Sequence, residues 1–456
     1  MFKNKKILIL GFGKEGKAAL SYLVEEGCSS ISIADKNLDL SISKDFPEVK
    51  DWYVGDSWLS SLSSYEVIFR SPGVPLRCLS DYSGTILSST ELFLKRHREK
   101  TIAITGTKGK STSVSLLHHV LQGQRVNSVL GGNIGIAPLS LIDHEADVFV
   151  MELSSYQLEV LMVSPRIAVL LNLFPDHLDH HGSFEQYKKA KLVIGAFQKE
   201  GDVMILPAFQ REEFSELLPE VSFRKYFGGE GSNVFIKDGE LFVRDSEQNA
   251  ILLCPVSTLP FKGKGMLANV CAVLEAVLSA EGLGLIRKPD WSRVVESLQS
   301  FVPLPHRLQE ISSSSGVLFV NDSISTIPEA TIHALEVYAG RVETLILGGY
   351  DRGISYTALL EYIPSTSVRN LVLIPPAGER MKQEIESGFS GEYSGVTFFQ
   401  AETMAKAVRF AFAHTASGKV CVLSPAAPSF GLFRDFEERG EEFMRLVGNE
   451  SKRKCD

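Results

Sequence analysis

The stretch Thr101-Ile-Ala-Ile-Thr-Gly-Thr-Lys-Gly-Lys-Ser-Thr112 changes its local character twice within a few residues. Thr101 to Ile104 is apolar and β-branched, as a short buried strand requires. Gly106 and Gly109 allow a tight loop, since glycine tolerates backbone angles that other residues avoid. From Ser111 the pattern is helical, with Val114, Leu117 and Leu121 on one face. Strand, glycine loop and helix start make a phosphate cradle, where loop N–H groups and the positive end of the helix dipole point at an anion. Lys110 adds a point charge for the outer phosphates, and Ser111 or Thr112 offers a hydroxyl to Mg²⁺. Ile104 and Thr105 stand where the commonest form of this loop has its early glycine. The plain alternative is an ordinary strand, loop and helix with a lone lysine.

Working outward, the 456 residues suffice for about three domains. Hydrophobic content of 44% and charged content of 22% fit a soluble globular chain. A net charge of −8 argues against a generic nucleic-acid or anionic-membrane surface. Cys28, Cys78, Cys254, Cys271, Cys421 and Cys455 form no CxxC pair, so reduced thiols, a cytoplasmic location and no zinc site are expected. The apolar run Ile7–Leu10 is too short for a signal peptide, and no run reaches transmembrane length.

Before the loop, Lys6–Leu10 reads as a strand, Gly11-Phe-Gly-Lys-Glu-Gly16 has GxGxxG spacing, and Lys17–Glu26 is helical. Ser30–Ala34 is the next strand and ends in Asp35, placed to hold a ribose hydroxyl. Nucleotide binding is one reading, and a tight β–α turn is the other. Val67–Phe69 leads into Ser71-Pro-Gly-Val-Pro75, a stiffened loop at the sheet edge where open α/β folds bind ligands.

After the loop, Gly131-Gly-Asn-Ile-Gly135 is a second glycine-rich turn, and Asp147–Glu152 a buried strand ending in a carboxylate. Beside a phosphate loop, Glu152 is the expected Mg²⁺ partner, although it also precedes a helix onset at Leu153–Glu159. Arg166–Asn172 is a strand running into Phe174–His181, where Asp176, His177, Asp179, His180 and His181 form a candidate metal loop. Ser183–Phe197 is a helix whose Lys188, Lys189 and Lys191 read, on composition, as a solvated face. Short strands fill Gly201–Leu259, with an Asp-Gly hairpin in Val234–Val243, and Asn269–Leu278 is a helix.

Pro303-Leu-Pro-His-Arg307 reads as a linker. Beyond it, strands and helices alternate, with polar loops Asn321–Thr326, Gly348–Gly353 and Ser424–Phe430 at strand carboxyl ends. Phe436-Glu-Glu-Arg-Gly440 lies on or before a final helix, and Lys452–Lys454 is a short tail.

Together, Thr105–Thr112, Gly131–Gly135, Glu152–Glu159, Asp176-His-Leu-Asp179, Ala190-Lys-Leu192, His306-Arg307, Asn321-Asp-Ser323 and Ser424-Pro425 resemble the Mur ligase family over essentially the whole chain. The resemblance implies an α/β chain of three domains, each a mainly parallel sheet flanked by helices. Residues 1–97 would be Rossmann-like and bind a UDP-linked substrate, 98–302 a P-loop ATPase domain, and 303–456 a Rossmann-like domain that takes the amino acid and closes. Gly13, Lys14, Glu15, Gly16, Asp35, Ser71, Gly73 and Asn133 would line the UDP site. Thr107, Lys108, Gly109, Lys110, Ser111, Thr112 and Ser113 would hold the ATP phosphates, with Asn269, Arg307 and Asp322 around the nucleotide. Ser111 and Glu152 would carry one Mg²⁺ ion and His177 with carbamylated Lys191 a second; Lys110, His177 and Lys191 would be the catalytic set. Thr326, Arg352, Ser429 and Phe436 match the neighbourhood of the incoming amino acid.

Within the family, the set most resembles the branch that adds D-glutamate to UDP-N-acetylmuramoyl-L-alanine in peptidoglycan synthesis. That implies a monomeric cytoplasmic enzyme with small-molecule partners and neither nucleic acid nor membrane. Ile324 stands where members often carry lysine, and Gly265 with Met266 where a His-Asn pair precedes Asn269. A branch adding L-glutamate shares the Asp-Ser-Ile-Ser-Thr stretch, so L-glutamate is the alternative. From other classes, an NAD-dependent oxidoreductase built on Gly11–Asp35 leaves Lys110, Glu152 and His177 unused.

Overall fold

The β-branched runs become the buried strands of parallel sheets. The computed structural model describes residues 2–36, 40–215, 223–229, 231–245, 247–261, 263–389 and 391–453. Lys454 and Cys455 of the tail lie outside the described residues, as does the side chain of Asp179. The chain divides into two compact units, Met1–Phe301 and Val302–Asp456.

In the first unit, Val49–Val54, Ile31–Asp35, Ile7–Leu10, Val67–Arg70 and Thr85–Leu87 lie side by side in that order, all parallel. A second parallel sheet runs Phe223–Phe227, Val203–Pro207, Ile167–Leu170, Thr101–Thr105, Val148–Glu152, Ser128–Gly132. The strand before the phosphate loop is therefore interior, and its five residues are all buried. Leu116, Leu117, Val120 and Leu121 of the helix Lys110–Gly123 join Ile102, Ile104 and Val169 in one apolar core. Val234–Lys237, Glu240–Arg244 and Ala250–Pro255 form a small antiparallel sheet. Its first turn is the expected Asp-Gly hairpin, with φ of 50° at Asp238 and 80° at Gly239.

The helix expected at Asn269–Leu278 runs from Lys264 to Gly282. By length and composition it could cross a membrane, but residues 269–277 are buried against the helix Lys110–Gly123 and the neighbouring strands. The helix Trp291–Ser300, with its Asp290 cap, has no counterpart in the sequence reading.

In the second unit, strands follow the order Gln309–Ser312, Leu318–Asn321, Val420–Leu423, Val342–Gly348, Asn370–Ile374, Thr397–Gln400. All pairs are parallel except the first, where Gln309–Ser312 runs antiparallel to Leu318–Asn321. The helix Ala377–Glu384 continues as a wider turn over Ile385–Phe389. Phe436 opens the final helix, which extends to Arg453.

Candidate active site

The phosphate loop is held from both sides. Lys108 N–H donates to Asn172 Oδ1 at 2.9 Å, and Asn172 Nδ2 donates to Lys108 O at 3.1 Å. The Thr107 hydroxyl accepts from Phe174 N–H at 3.0 Å and from Tyr187 OH at 3.1 Å. Gly109 has φ +84°, and a Cβ there would stand 2.2 Å from the Asn269 amide nitrogen. Asn269, buried on its long helix, thus backs the loop as closely as a glycine allows.

The helix Lys110–Gly123 begins at Gly109 with no side chain accepting its first N–H groups, whereas Ser154 and Ser183 cap their helices. Uncapped N–H groups at such a start suit an anion. Lys110 Nζ folds back onto its own loop, donating to Gly106 O at 2.9 Å and Thr107 O at 3.0 Å. Of the two hydroxyls that could face Mg²⁺, Thr112 is buried and Ser111 half-buried. The Thr112 and Ser113 hydroxyls have no hydrogen-bond partner among the described residues.

Opposite the loop, Glu152 ends its strand fully buried. Its Oε1 accepts from Asn133 Nδ2 at 2.6 Å, while Oε2 is buried with no hydrogen-bond partner among the described residues. A buried carboxylate oxygen without a donor is costly in isolation and suits a cation. Lys191 corrects the solvated-face reading: it is 1% exposed, and its Nζ donates to Thr105 Oγ1 at 3.1 Å. Burial, with Lys110 nearby, pushes its ammonium well below the usual lysine range, against the pull of Asp176 and Glu152. A neutral buried amine is the form that can take up carbon dioxide as a carbamate, an oxygen ligand suited to Mg²⁺. Burial also lowers the imidazole of His177 into its neutral, ligand-competent form. His177 Nδ1 lies 2.9 Å from Tyr156 OH. The donor set therefore fits hard divalent ions.

Among the described residues, the expected metal loop does not gather into one cluster. Asp176 turns to Lys108 Nζ at 3.3 Å and stays ionised; although burial alone would raise its pKa, Lys108 and His177 outweigh it. His180 Nε2 and His181 Nδ1 lie 2.9 and 3.1 Å from Glu159 Oε1. These three offer converging ligand atoms, but buried Arg70 already pairs with Glu159 Oε2 at 2.6 Å. The guanidinium supplies the positive charge, and the group is an ion-pair network joining the first sheet to the second.

A cleft of about 580 Å³ is lined by Gly13, Lys14, Glu15, Asp35, Ser71, Gly73 and Asn133. Gly16 is not among its lining; a Cβ there would meet Gly11 O at 2.2 Å, so this glycine lets the helix close on the turn. Asp35 Oδ2 accepts from Phe12 N–H at 2.7 Å, so this carboxylate, expected to meet a ribose, also pins the turn. Lys36 and Trp58 line the cleft too and were missed; Trp58 lies in a polar stretch with no periodicity to flag it.

In the second unit, Asp322 is buried, accepts from Ser424 Oγ at 2.8 Å and is pushed up to about 6 by burial, against Ser325, Ser424 and Arg307. Arg352 donates to Thr326 O at 2.9 Å, Ser429 is buried, and Phe436 O accepts from Ser323 Oγ at 2.8 Å. Arg439, which the sequence reading passed over, is buried beneath these loops and donates to Ser323 Oγ, Ser323 O and Ala427 O.

The Mur ligase middle domain is matched over residues 104–277. The chain is 34% identical to a UDP-N-acetylmuramoyl-L-alanine–L-glutamate ligase of Micromonospora sp., over 98% of this chain and 97% of the relative. The chain belongs to the Mur ligase family. A UDP-N-acetylmuramoylalanine–D-glutamate ligase of Acetivibrio thermocellus is 32% identical to this Mur ligase, over 98% and 97% of the two chains. Among solved structures, the ADP complex of MurF ligase from Thermotoga maritima has a TM-score of 0.59 at 17% identity, covering 98% of this chain and 95% of that one. UDP-N-acetylmuramate-alanine ligase MurC from the same organism has a TM-score of 0.59 at 15% identity, covering 98% and 100%. Both share the α/β fold of this Mur ligase.

Proposed function

We propose that the protein is an ATP-dependent ligase that joins glutamate to the alanine carboxylate of UDP-N-acetylmuramoyl-L-alanine in peptidoglycan synthesis. The observation that carries this reading is the gathering of Lys110, Glu152, His177 and Lys191 about one uncapped phosphate loop. The activities for which the relatives are named support the substrates.

The chemistry explains the machinery. A carboxylate is a poor electrophile towards an amine. Transfer of the ATP γ-phosphate onto it gives an acyl phosphate, the glutamate amine adds to that carbonyl, and phosphate leaves from the tetrahedral intermediate. The loop N–H groups and Lys110 would hold the phosphates and offset charge at the transferring group. Ser111 and Glu152 would hold one Mg²⁺, and His177 with carbamylated Lys191 a second; when bound, these ions supply Lewis-acid neutralisation of phosphate charge. Thr107, Lys108, Thr112 and Ser113 would complete the phosphate site, and Asn269, Arg307 and Asp322 the nucleotide site. The cleft beside Gly13 and Ser71 would take the UDP moiety, and the loops bearing Thr326, Arg352, Ser429 and Phe436 the glutamate.

Three domains, 1–97, 98–302 and 303–456, would divide these tasks, a reading supported by the separate parallel sheets. A cytoplasmic monomer serving wall growth, cell shape and cell division completes the proposal.

The motif set favours D-glutamate. L-glutamate is a second reading, favoured by Ile324 and by the 34% identity to the Micromonospora ligase. The test supplies ATP, Mg²⁺ and UDP-N-acetylmuramoyl-L-alanine with each enantiomer, reading ADP release and the amide product by mass spectrometry. One enantiomer should react; no amide with either would refute the proposal.

A further inference from the structure

The strand Val342–Gly348 runs into a loop that carries Arg352. Backbone bonds tie the root of this loop: Gly348 N–H donates to Pro425 O and Tyr350 N–H to Pro428 O, each at 2.8 Å. The tip is gripped by a side chain from the helix Ala377–Glu384. Arg380 Nε and Nη2 donate to Asp351 Oδ2 and Oδ1 at 2.6 and 2.9 Å, a bidentate pairing, and Nη2 also donates to Ile354 O at 2.6 Å. The guanidinium lies 4.4 Å from the ring centre of buried Tyr356, and its Nη1 donates to Glu384 Oε1 at 2.5 Å. Asp351 Oδ1 accepts in addition from Gly353 N–H at 2.9 Å. Residues 351, 353 and 354 are thus fixed around Arg352. Arg352 itself is exposed; its Nη2 donates to Thr326 O at 2.9 Å, and among the described residues it pairs with no carboxylate. The clamp calls for a flat, forked cation, since an ammonium offers neither two parallel donors nor a face to stack. Arg380 and Asp351 stay 28% and 24% exposed, so their pairing is a modest term in global stability and its consequence is local order. An unpaired Asp351 would compete with an incoming carboxylate for the guanidinium one residue away.

We propose that Arg380 is a positioning residue for the amino-acid substrate: it holds Asp351 and Ile354 on either side of Arg352, and so keeps the Arg352 guanidinium placed and free for a substrate carboxylate. The inference rests on the proposed ligase activity and on the place of Arg352 at the amino-acid site. The donors of Arg380 are taken up by Asp351, Ile354 and Glu384, so it acts through the loop and not on the substrate. A loop ordered in advance has less freedom to lose on binding, and loss of the clamp therefore shows in glutamate affinity ahead of turnover.

The experiment is a double-substitution cycle on the full-length protein. ADP release is read while glutamate, in the enantiomer that reacts, ATP and UDP-N-acetylmuramoyl-L-alanine are varied in turn. Arg380→Gln should raise the KM for glutamate about tenfold, with kcat and the other two KM values held within about twofold. Arg380→Lys keeps the charge without the fork and should show most of that loss. Arg352→Gln removes a charged hydrogen bond and should raise the same KM about 10- to 100-fold. Adding Arg380→Gln to Arg352→Gln should then change it by no more than about twofold, because no guanidinium is left to place. An unchanged glutamate KM in Arg380→Gln overturns the proposal. A fall in kcat or a rise in all three KM values also overturns it, since either marks a general structural defect. Full multiplication of the two effects in the double variant does the same. A wild-type glutamate KM in Arg352→Gln removes that residue from the amino-acid site and the proposal with it. If Arg380→Gln fails to fold, the cycle is run with Arg380→Lys and the same outcomes decide. No amide with either enantiomer in the wild type refutes the ligase reading instead, which separates the two failures.

Discussion

Two glycine turns, Gly11–Gly16 and Gly106–Lys110, follow buried parallel strands and open helices that begin at an uncapped glycine. Their backbones offer the same thing, a ring of N–H groups at the positive end of a helix. Their charged side chains differ in kind, since Lys14 and Lys36 share the first cleft with Asp35 and Glu15. Asp35 and Glu15 attend the first turn, one pinning its backbone and the other held near neutrality. Lys108 and Lys110 attend the second, with buried Lys191 and Glu152 beyond them. The backbone device confers affinity for anions, and the neighbouring charges set how much negative charge each turn can accept. On the proposed function, the first would take a diester diphosphate and the second a triphosphate with its metal ions.

The largest expected effect separates the turns by function. Lys110→Ala should lower the rate of ADP release about 10²–10³-fold, the range for losing one transition-state donor, while calorimetric binding of the UDP-linked substrate is unchanged. Weakened binding of that substrate would merge the two sites. A matched pair of substitutions sharpens the contrast in packing. Gly109→Ala forces a Cβ against Asn269 at positive φ and should cost about 2 kcal/mol, read by denaturant unfolding. Gly13→Ala meets nothing within 4 Å, so stability should change by no more than about 0.5 kcal/mol.

A further contrast concerns Lys191. Its folded-state pKa lies below the unfolded value near 10.5, so between the two the unfolded chain binds more protons and stability rises with pH. In carbonate-free buffer, Tm should climb by about 3 °C from neutral pH towards that value, and Lys191→Met should flatten the climb. An equal slope in both proteins would mean the ammonium is not desolvated as described.

Both turns were legible because glycine spacing, β-branched strands and helical periodicity are local signals. Glu152 was legible for the same reason, as a carboxylate ending an apolar run. Lys191 was not readable from composition, since its neighbours Lys188 and Lys189 are partly or largely exposed, and only tertiary packing buries the third lysine. The resemblance, not the periodicity, singled it out. Spacing cannot say which way each imidazole turns: His180 and His181 turn to Glu159, which also pairs with Arg70, a residue more than a hundred positions upstream of them. The antiparallel edge strand Gln309–Ser312 and the Asp290-capped helix escaped because short polar strands and lone caps stand out little from loops.

Arg70 also bears on how the chain could be cut. Its guanidinium reaches Val74 O, Tyr156 O and Glu159, and Arg77 donates to His180 O, so the first sheet's loops hold the histidine loop in place. A fragment beginning near residue 98 would strand Glu159 beside two imidazoles without its guanidinium, and leave Gln157 without Glu15. Excising the nucleotide-binding region as a free-standing module should therefore yield a protein whose histidine loop is unmoored, and truncation is a poor route to an isolated ATPase from this chain.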